Sequence, residues 1–209
     1  MIFEKVFEEI NEVVTISKEE KDYLKSILKF RKLNKREFLL QQDEVQDNYY
    51  YVLSGCLRSY INDKKGLEQV LQFSSKGWWI ADNESILYKQ LAKFNIAADL
   101  DSEILILSNT AKEESVKRFP KLELYYNESL IRSVIFLRNR LYEILSLSAE
   151  ERYINFCKRF PELKDSISQK HIASYIGITP EFFSAMKKKL KERQICLESS
   201  KFPENKYYH

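Results

Sequence analysis

The chain has 209 residues, of which 44 % are apolar, and its formal net charge is only +3. That length and apolar content suit one large domain or two modest ones and exclude a disordered chain. The charge is uneven, with 12 Lys and Arg against 8 Asp and Glu from Ser148 onward and 22 against 23 before it. The basic excess falls in the C-terminal part, the distribution expected where phosphate is bound.

Cys56, Cys157 and Cys196 are widely spaced, odd in number and in no CxxC pattern, so neither a disulfide framework nor a thiolate metal site is supported. No apolar run approaches the roughly 20 residues of a membrane span. The N-terminus, Met-Ile-Phe-Glu-Lys-Val-Phe-Glu-Glu-Ile, is acidic and amphipathic, unlike a signal peptide. A cytoplasmic protein with no membrane partner is expected.

Residues 1–30 read as two helices. Ile2, Phe3, Val6, Phe7, Ile10 and Val13 repeat at helical spacing. Ser17-Lys-Glu-Glu20 is a capping box opening a second segment, with Tyr23, Leu24, Ile27 and Leu28 inward. From about Arg36 to Ser108 the period shortens. Glu37–Leu40, Tyr49–Leu53, Cys56–Ile61, Glu68–Phe73, Phe94–Ala98 and Glu103–Leu107 are β-branched or aromatic runs separated by polar turns. Six short strands at this spacing predict a sandwich or jelly-roll barrel. Gly55 marks a point where the backbone turns without a Cβ.

Helical patterns return at residues 111–147. Ala111–Phe119 is short and closed by Pro120, and a long pattern runs from Leu122 to Leu147. Within it Leu130, Val134, Leu137, Leu141 and Ile144 step by four and three as in a coiled-coil seam, while Ile131, Ile135, Tyr142 and Leu145 form a second apolar stripe. The reading is that one face packs on the chain's own barrel and the other meets the same helix of a second copy. Ser148-Ala-Glu-Glu151 is a capping box that restarts a helix, ended by Pro161, and Ser148 is taken as the domain boundary.

Residues 168–190 read as two short helices with a tight turn. Ser168 is the N-cap of the first, Ile172, Ala173 and Ile176 form its apolar face, and Gly177 supplies a left-handed stop. Thr179 caps a second helix beginning at Pro180, where a missing N–H costs nothing. Phe183, Met186 and Leu190 face inward, which leaves Glu181, Phe182, Ser184, Lys187, Lys188 and Lys191 outside. A second helix offering its N-terminal side chains to base edges, with lysines over phosphates, is the geometry of a helix-turn-helix on double-stranded DNA. Ser168, Gln169 and Lys170 at the start of the first helix, with Thr179 and Pro180, complete the candidate contacts. Ile195–Tyr208 is read as a small β-wing. There is no internal repeat and no low-complexity tract.

Element order and two motifs resemble the family of the cyclic-AMP receptor protein and the fumarate-nitrate regulator (Crp/Fnr). Tyr50-Tyr-Val-Leu-Ser-Gly-Cys-Leu-Arg-Ser-Tyr60 is similar to that family's strand–Gly–strand signature, and Ile167 to Glu181 to its helix-turn-helix. The resemblance implies an α+β fold. An N-terminal cyclic-nucleotide-binding-like β jelly roll flanked by helices would occupy residues 1–147, with a dimerisation helix at 122–147. A winged helix-turn-helix DNA-binding domain would follow at 148–209. It implies a homodimeric, ligand-responsive transcription regulator that is not an enzyme.

The resemblance also exposes departures. Nucleotide-binding members place a Gly-Glu pair on the ribose and an Arg about ten residues later on the phosphate. Here Glu84 takes the acidic position without a preceding Gly, and Phe94 or Asn95 takes the Arg position, with Lys89 or Lys93 as possible point-charge substitutes. Cyclic nucleotide binding in the usual way is therefore not expected. An unidentified small-molecule effector would meet Trp78, Glu84, Ser85 and Asn95, although Trp78, Trp79 and the tyrosines at 49–51 equally suit a core. The N-terminal cysteine cluster of iron–sulfur members is missing. The two histidines, His171 and His209, lie in the DNA half, so neither an iron–sulfur cluster nor haem is expected. The recognition helix lacks the usual Arg after Ser184. The alternative function is a degenerate relative acting as a protein-interaction or small-molecule-binding module without DNA.

Overall fold

A computed structural model describes residues 2–192, with side chains through Leu190. The expected wing at 195–208, Cys196, His209 and the side chain of Lys191 lie outside the described residues.

The element order is α1 (Glu4–Val13), α2 (Lys18–Ile27), β1 (Lys29–Leu33), β2 (Phe38–Leu40), β3 (Asn48–Ser54), β4 (Leu57–Asn62), β5 (Glu68–Ser74), β6 (Trp79–Ile80), α3 (Asn83–Tyr88), β7 (Asn95–Ala98), β8 (Ser102–Ser108), α4 (Asn109–Arg118), α5 (Leu122–Ser146), α6 (Ala149–Arg159), α7 (Gln169–Ile176) and α8 (Pro180–Glu192). The strands form two four-stranded antiparallel sheets, ordered β1-β8-β3-β6 and β2-β7-β4-β5. This is a jelly roll, and it contains all six strands read from the sequence.

Two compact units are present, Met1–Ile61 with Leu71–Ile131, and Asn62–Val70 with the chain from Arg132 onward. In the first, strand alternation sorts the apolar residues into two layers. Tyr50, Val52, Leu57, Ile96, Ala98 and Ile104 fill the space between the sheets. Tyr51, Leu105 and Leu107 point to the other side of their sheet, where Val6, Phe7, Ile10, Leu24, Leu122 and Tyr125 cover them. The amphipathic stripes of α1 and α2 exist to close that layer. The start of α2 is fixed locally: Ser17 accepts from the Glu20 N–H while the Glu20 carboxylate accepts from the Ser17 N–H, a complete capping box.

In the second unit α6 begins on the matching Ser148 and Glu151 box. Tyr153, Phe156, Phe160, Ile172, Tyr175, Phe183 and Leu190 form its core. The Tyr153 and Phe183 rings meet edge to face at 5.1 Å. Beside them lies a buried polar network. Arg159 donates to Glu143 at 2.6 Å and to the Tyr175 hydroxyl at 3.0 Å, and Arg140 donates to the carbonyls of Tyr175 and Val70 at 2.9 and 2.8 Å. Ser174 closes the set, with its hydroxyl accepting from the Val70 N–H and donating to the Glu68 carbonyl. Glu68 and Val70, at the start of β5, are thus bonded to α7, and Val70 to α5.

The long helix corrects one expectation. Ile131, Tyr142 and Leu145 do not pack on the barrel; they are exposed, as are Leu130, Val134, Leu137, Leu141 and Ile144. Successive residues on a helix are only about 100° apart, so the two stripes merge into one wide apolar face. The helix faces inward instead through Leu122, Tyr125, Phe136 and Glu143.

Gly55 sits at φ 83°, and a Cβ there would lie 2.3 Å from Ser102 Oγ and 2.4 Å from the Asp101 carbonyl. Gly66 has φ 75° with nothing within 4 Å. Gly66→Ala should therefore cost only the left-handed backbone penalty of about 1 kcal/mol. Gly55→Ala adds a backbone clash and should cost on the order of 3 kcal/mol. Urea unfolding of both variants checks the contrast; equal losses would contradict the close approach at Gly55.

Candidate nucleic-acid interface and sensor barrel

The α7–α8 pair is built by its turn. Gly177, at φ 75° and ψ 40°, ends α7 in the left-handed conformation. The Ile178 N–H bonds the Ala173 carbonyl at 3.0 Å and the Gly177 N–H bonds that of Ser174 at 3.1 Å, the two bonds of a Schellman motif. Two residues later Thr179 Oγ1 accepts from the Phe182 N–H at 3.2 Å, so α8 starts capped, with Pro180 as its first residue. The angle between the helices is thereby set by three consecutive residues. Ser168 does occupy the N-cap position of α7, but its side chain makes no capping bond, contrary to the role read from the sequence.

Phe183, Met186 and Leu190 are buried as expected. Glu181, Phe182, Ser184, Ala185, Lys188 and Lys189 are exposed, as are Ser168, Gln169 and Lys170 at the start of α7 and Thr179 and Pro180 at the start of α8. The structure therefore gathers most of the candidate contacts on accessible faces of one helix pair. Lys187 differs. It is half-buried, with its ammonium 5.6 Å from the Phe183 ring and 5.9 Å from that of Tyr153. That cation–π seat makes it a part of the core rim, and Lys189, which sequence spacing did not single out, takes its place among the exposed cations. The Ser184 hydroxyl donates to the Pro180 carbonyl at 2.9 Å, so it retains only acceptor capacity. His171 Nε2 lies 3.2 Å from a Glu68 carboxylate oxygen within the same unit.

In the barrel the four proposed pocket residues differ in exposure and in partners. Glu84 points to solvent and pairs with Lys93 at 2.6 Å, both side chains being substantially exposed. An exposed pair of this kind contributes little energy and offers no buried anchor. Ser85 is buried and fully engaged, its hydroxyl accepting from the Gln46 N–H at 2.9 Å and donating to the Gln90 carbonyl at 2.7 Å. Asn95 is buried, with Oδ1 accepting from the Gln42 N–H at 3.0 Å and Nδ2 without a hydrogen-bond partner. Trp78 is half-buried. The neighbouring aromatics belong to the core: Trp79 donates to the Tyr125 hydroxyl at 2.9 Å and its ring lies 5.2 Å from that of Tyr51.

The buried carboxylate in this region is Asp82, which spacing alone did not reveal. It caps α3, accepting from the Ser85 N–H at 3.0 Å, and its own N–H donates to Gln46 Oε1. The buried cation is Arg58, held by Asp99 at 2.9 Å and stacked 4.5 Å over the Tyr60 ring. Leu57 points between the sheets, so Arg58, the next residue of β4, points to the other face of its sheet, while the start of α3 is occupied by the Asp82 carboxylate. Cys56 is no redox handle: burial pushes its thiol pKa well up and keeps it protonated.

Residues 30–118 match the model of the cyclic nucleotide-binding domain. No curated protein matches the chain at a significant level of sequence similarity. Three solved structures are similar over most of their length. FixK2 from Bradyrhizobium japonicum is 18 % identical with a TM-score of 0.70, over 81 % of this chain and 87 % of that one. The c-di-GMP-responsive global regulator CLP from Xanthomonas campestris is 12 % identical with a TM-score of 0.69, over 85 % and 93 %. A chain assigned to the Crp/Fnr family of transcriptional regulators, from Eubacterium rectale, is 18 % identical with a TM-score of 0.66, over 85 % of each. At these identities the likeness is one of fold. No helix among the described residues is long and apolar enough to cross a membrane. The chain carries a cyclic-nucleotide-binding jelly roll followed by C-terminal helices, the fold of Crp/Fnr regulators.

Proposed function

We propose that the protein is a homodimeric DNA-binding transcription regulator of the Crp/Fnr type, without enzymatic activity. The observation that carries this reading is the α7–α8 pair, a Schellman turn and a capped second helix that leave Lys188, Lys189 and Lys170 exposed beside Glu181 and Phe182. The apolar face of α5 supports the dimer. Eight exposed apolar side chains, from Leu130 to Leu145, lie along one side of a helix of 25 residues. A two-fold pairing of such helices would supply the two recognition helices that successive major grooves require, about 34 Å apart.

In this reading the barrel takes no cyclic nucleotide in the usual manner, because Glu84 faces water, paired with Lys93, and Asn95 stands where the phosphate-clamping Arg would be. The barrel then senses another small molecule, by other means, or nothing at all.

Two measurements test the proposal. In mobility shifts against duplex DNA, the slope of log K on log[salt] should fall by about 4 when Lys188 and Lys189 become Ala, at roughly 0.9 per phosphate contact and two subunits per dimer. Binding without salt dependence, or an unchanged slope, removes those lysines from the interface. Calorimetry with cyclic AMP and cyclic GMP should show no heat of binding; micromolar affinity for either contradicts the barrel assignment.

A further inference from the structure

The first two turns of α8 are an unusual reading head, and their chemistry constrains the DNA that would suit them. Among the exposed residues from Pro180 to Ala185 there is no guanidinium, ammonium or carboxamide. Glu181 offers acceptors only, and the Ser184 proton is spent on the Pro180 carbonyl. What remains is apolar. Phe182 is 57 % exposed on the first turn, and exposed Ala185 follows it at i+3 on an adjoining line of the helix. Among the described residues Phe183, not Phe182, fills the core of this unit. Its backbone is nonetheless fixed, because Thr179 holds the Phe182 N–H.

Base edges in the major groove present guanine as two acceptors, adenine as an acceptor beside a donor, cytosine as a donor, and thymine as an acceptor beside a methyl group. A head made of acceptors and apolar surface has no donor for guanine O6 and N7. It does complement a cytosine amino group and a thymine methyl. The lysines one turn further on, Lys188 and Lys189, are placed for phosphates and carry no sequence preference.

Resting on the regulator reading, we propose that Phe182, with Ala185, is a specificity-determining residue that packs against a thymine methyl in the major groove, so that the protein reads its operator through pyrimidine edges. The affinity for the site then depends on one methyl group in each half-site, which neither hydrogen bonding nor charge can replace.

The test is a thermodynamic cycle between protein and DNA. A randomised duplex pool is selected on the full-length wild-type chain, and the recovered sequence is resynthesised with each thymine in turn replaced by uracil, which removes only the methyl. Wild type should lose about fourfold in affinity for each contacted thymine replaced, the factor expected for one buried methyl group. Phe182→Ala should bind the thymine and uracil duplexes alike while keeping the wild-type salt slope, and its far-UV circular dichroism should be unchanged because the residue is exposed. Equal affinity of wild type for both duplexes, undiminished discrimination by Phe182→Ala, or a selection without preferred thymine overturns the proposal while salt-dependent binding leaves the regulator reading standing. No salt-dependent binding to any duplex overturns both.

Discussion

An amphipathic helix must put its apolar side against something other than water, and α5 does so on only one side. Its inner line holds Leu122 and Tyr125 in one unit and Phe136 in the other. Its outer line, from Leu130 to Leu145, stands open in the single chain. Burying the remaining half of such a side chain is worth on the order of 1 kcal/mol. Over eight residues from each of two copies, that exceeds most estimates of the roughly 4–15 kcal/mol cost of association. The same stripe left uncovered would be an aggregation liability. Pairing of α5 is therefore the constraint on which the proposed two-fold DNA reader depends.

The second half of α5 is held by charge as well as by the buried Phe136 ring. Glu143 and Arg159 form a buried pair, and Arg140 ties two carbonyls together, that of Val70 at the start of β5 and that of Tyr175 in α7. A buried pair of this kind stabilises little by itself, but losing one partner strands the other, typically at 3–5 kcal/mol. The network fixes where α7 sits on α5 more than it strengthens the unit. With the Schellman turn at Gly177, it makes the placement of α8 a consequence of a few specific bonds.

Much of this was legible in the sequence, for physical reasons that differ by element. Six strands announced themselves by β-branched and aromatic runs, and α2 and α6 by capping boxes whose two hydrogen bonds lie within four residues. Strand β1, Lys-Phe-Arg-Lys-Leu, was missed because it is an edge strand, exposed at four of five positions, and carries no apolar alternation. α3 was missed because it has only six residues. Spacing misjudged α5 because stripes 100° apart read as two faces when they are one broad one. Arg58 and Asp99, 41 residues apart, leave no local trace of their pairing, and Glu143 and Arg140 look like an ordinary solvated helix surface until α6 and α7 cover them. In the candidate interface, the turn and the caps were readable because they are local. The diversion of Lys187 onto two aromatic rings was not, because Tyr153 comes from another helix.

The pairing of α5 is tested most directly by sedimentation equilibrium of the full-length chain beside a variant carrying Leu137→Glu and Leu141→Glu. Both positions are exposed in the single chain, so the substitutions should leave the subunit folded. The wild type should sediment at twice the mass of its 25.0 kDa subunit at micromolar concentration and the variant at the subunit mass. A wild type that stays a single subunit at high concentration, or a variant as dimeric as the wild type, would contradict the account.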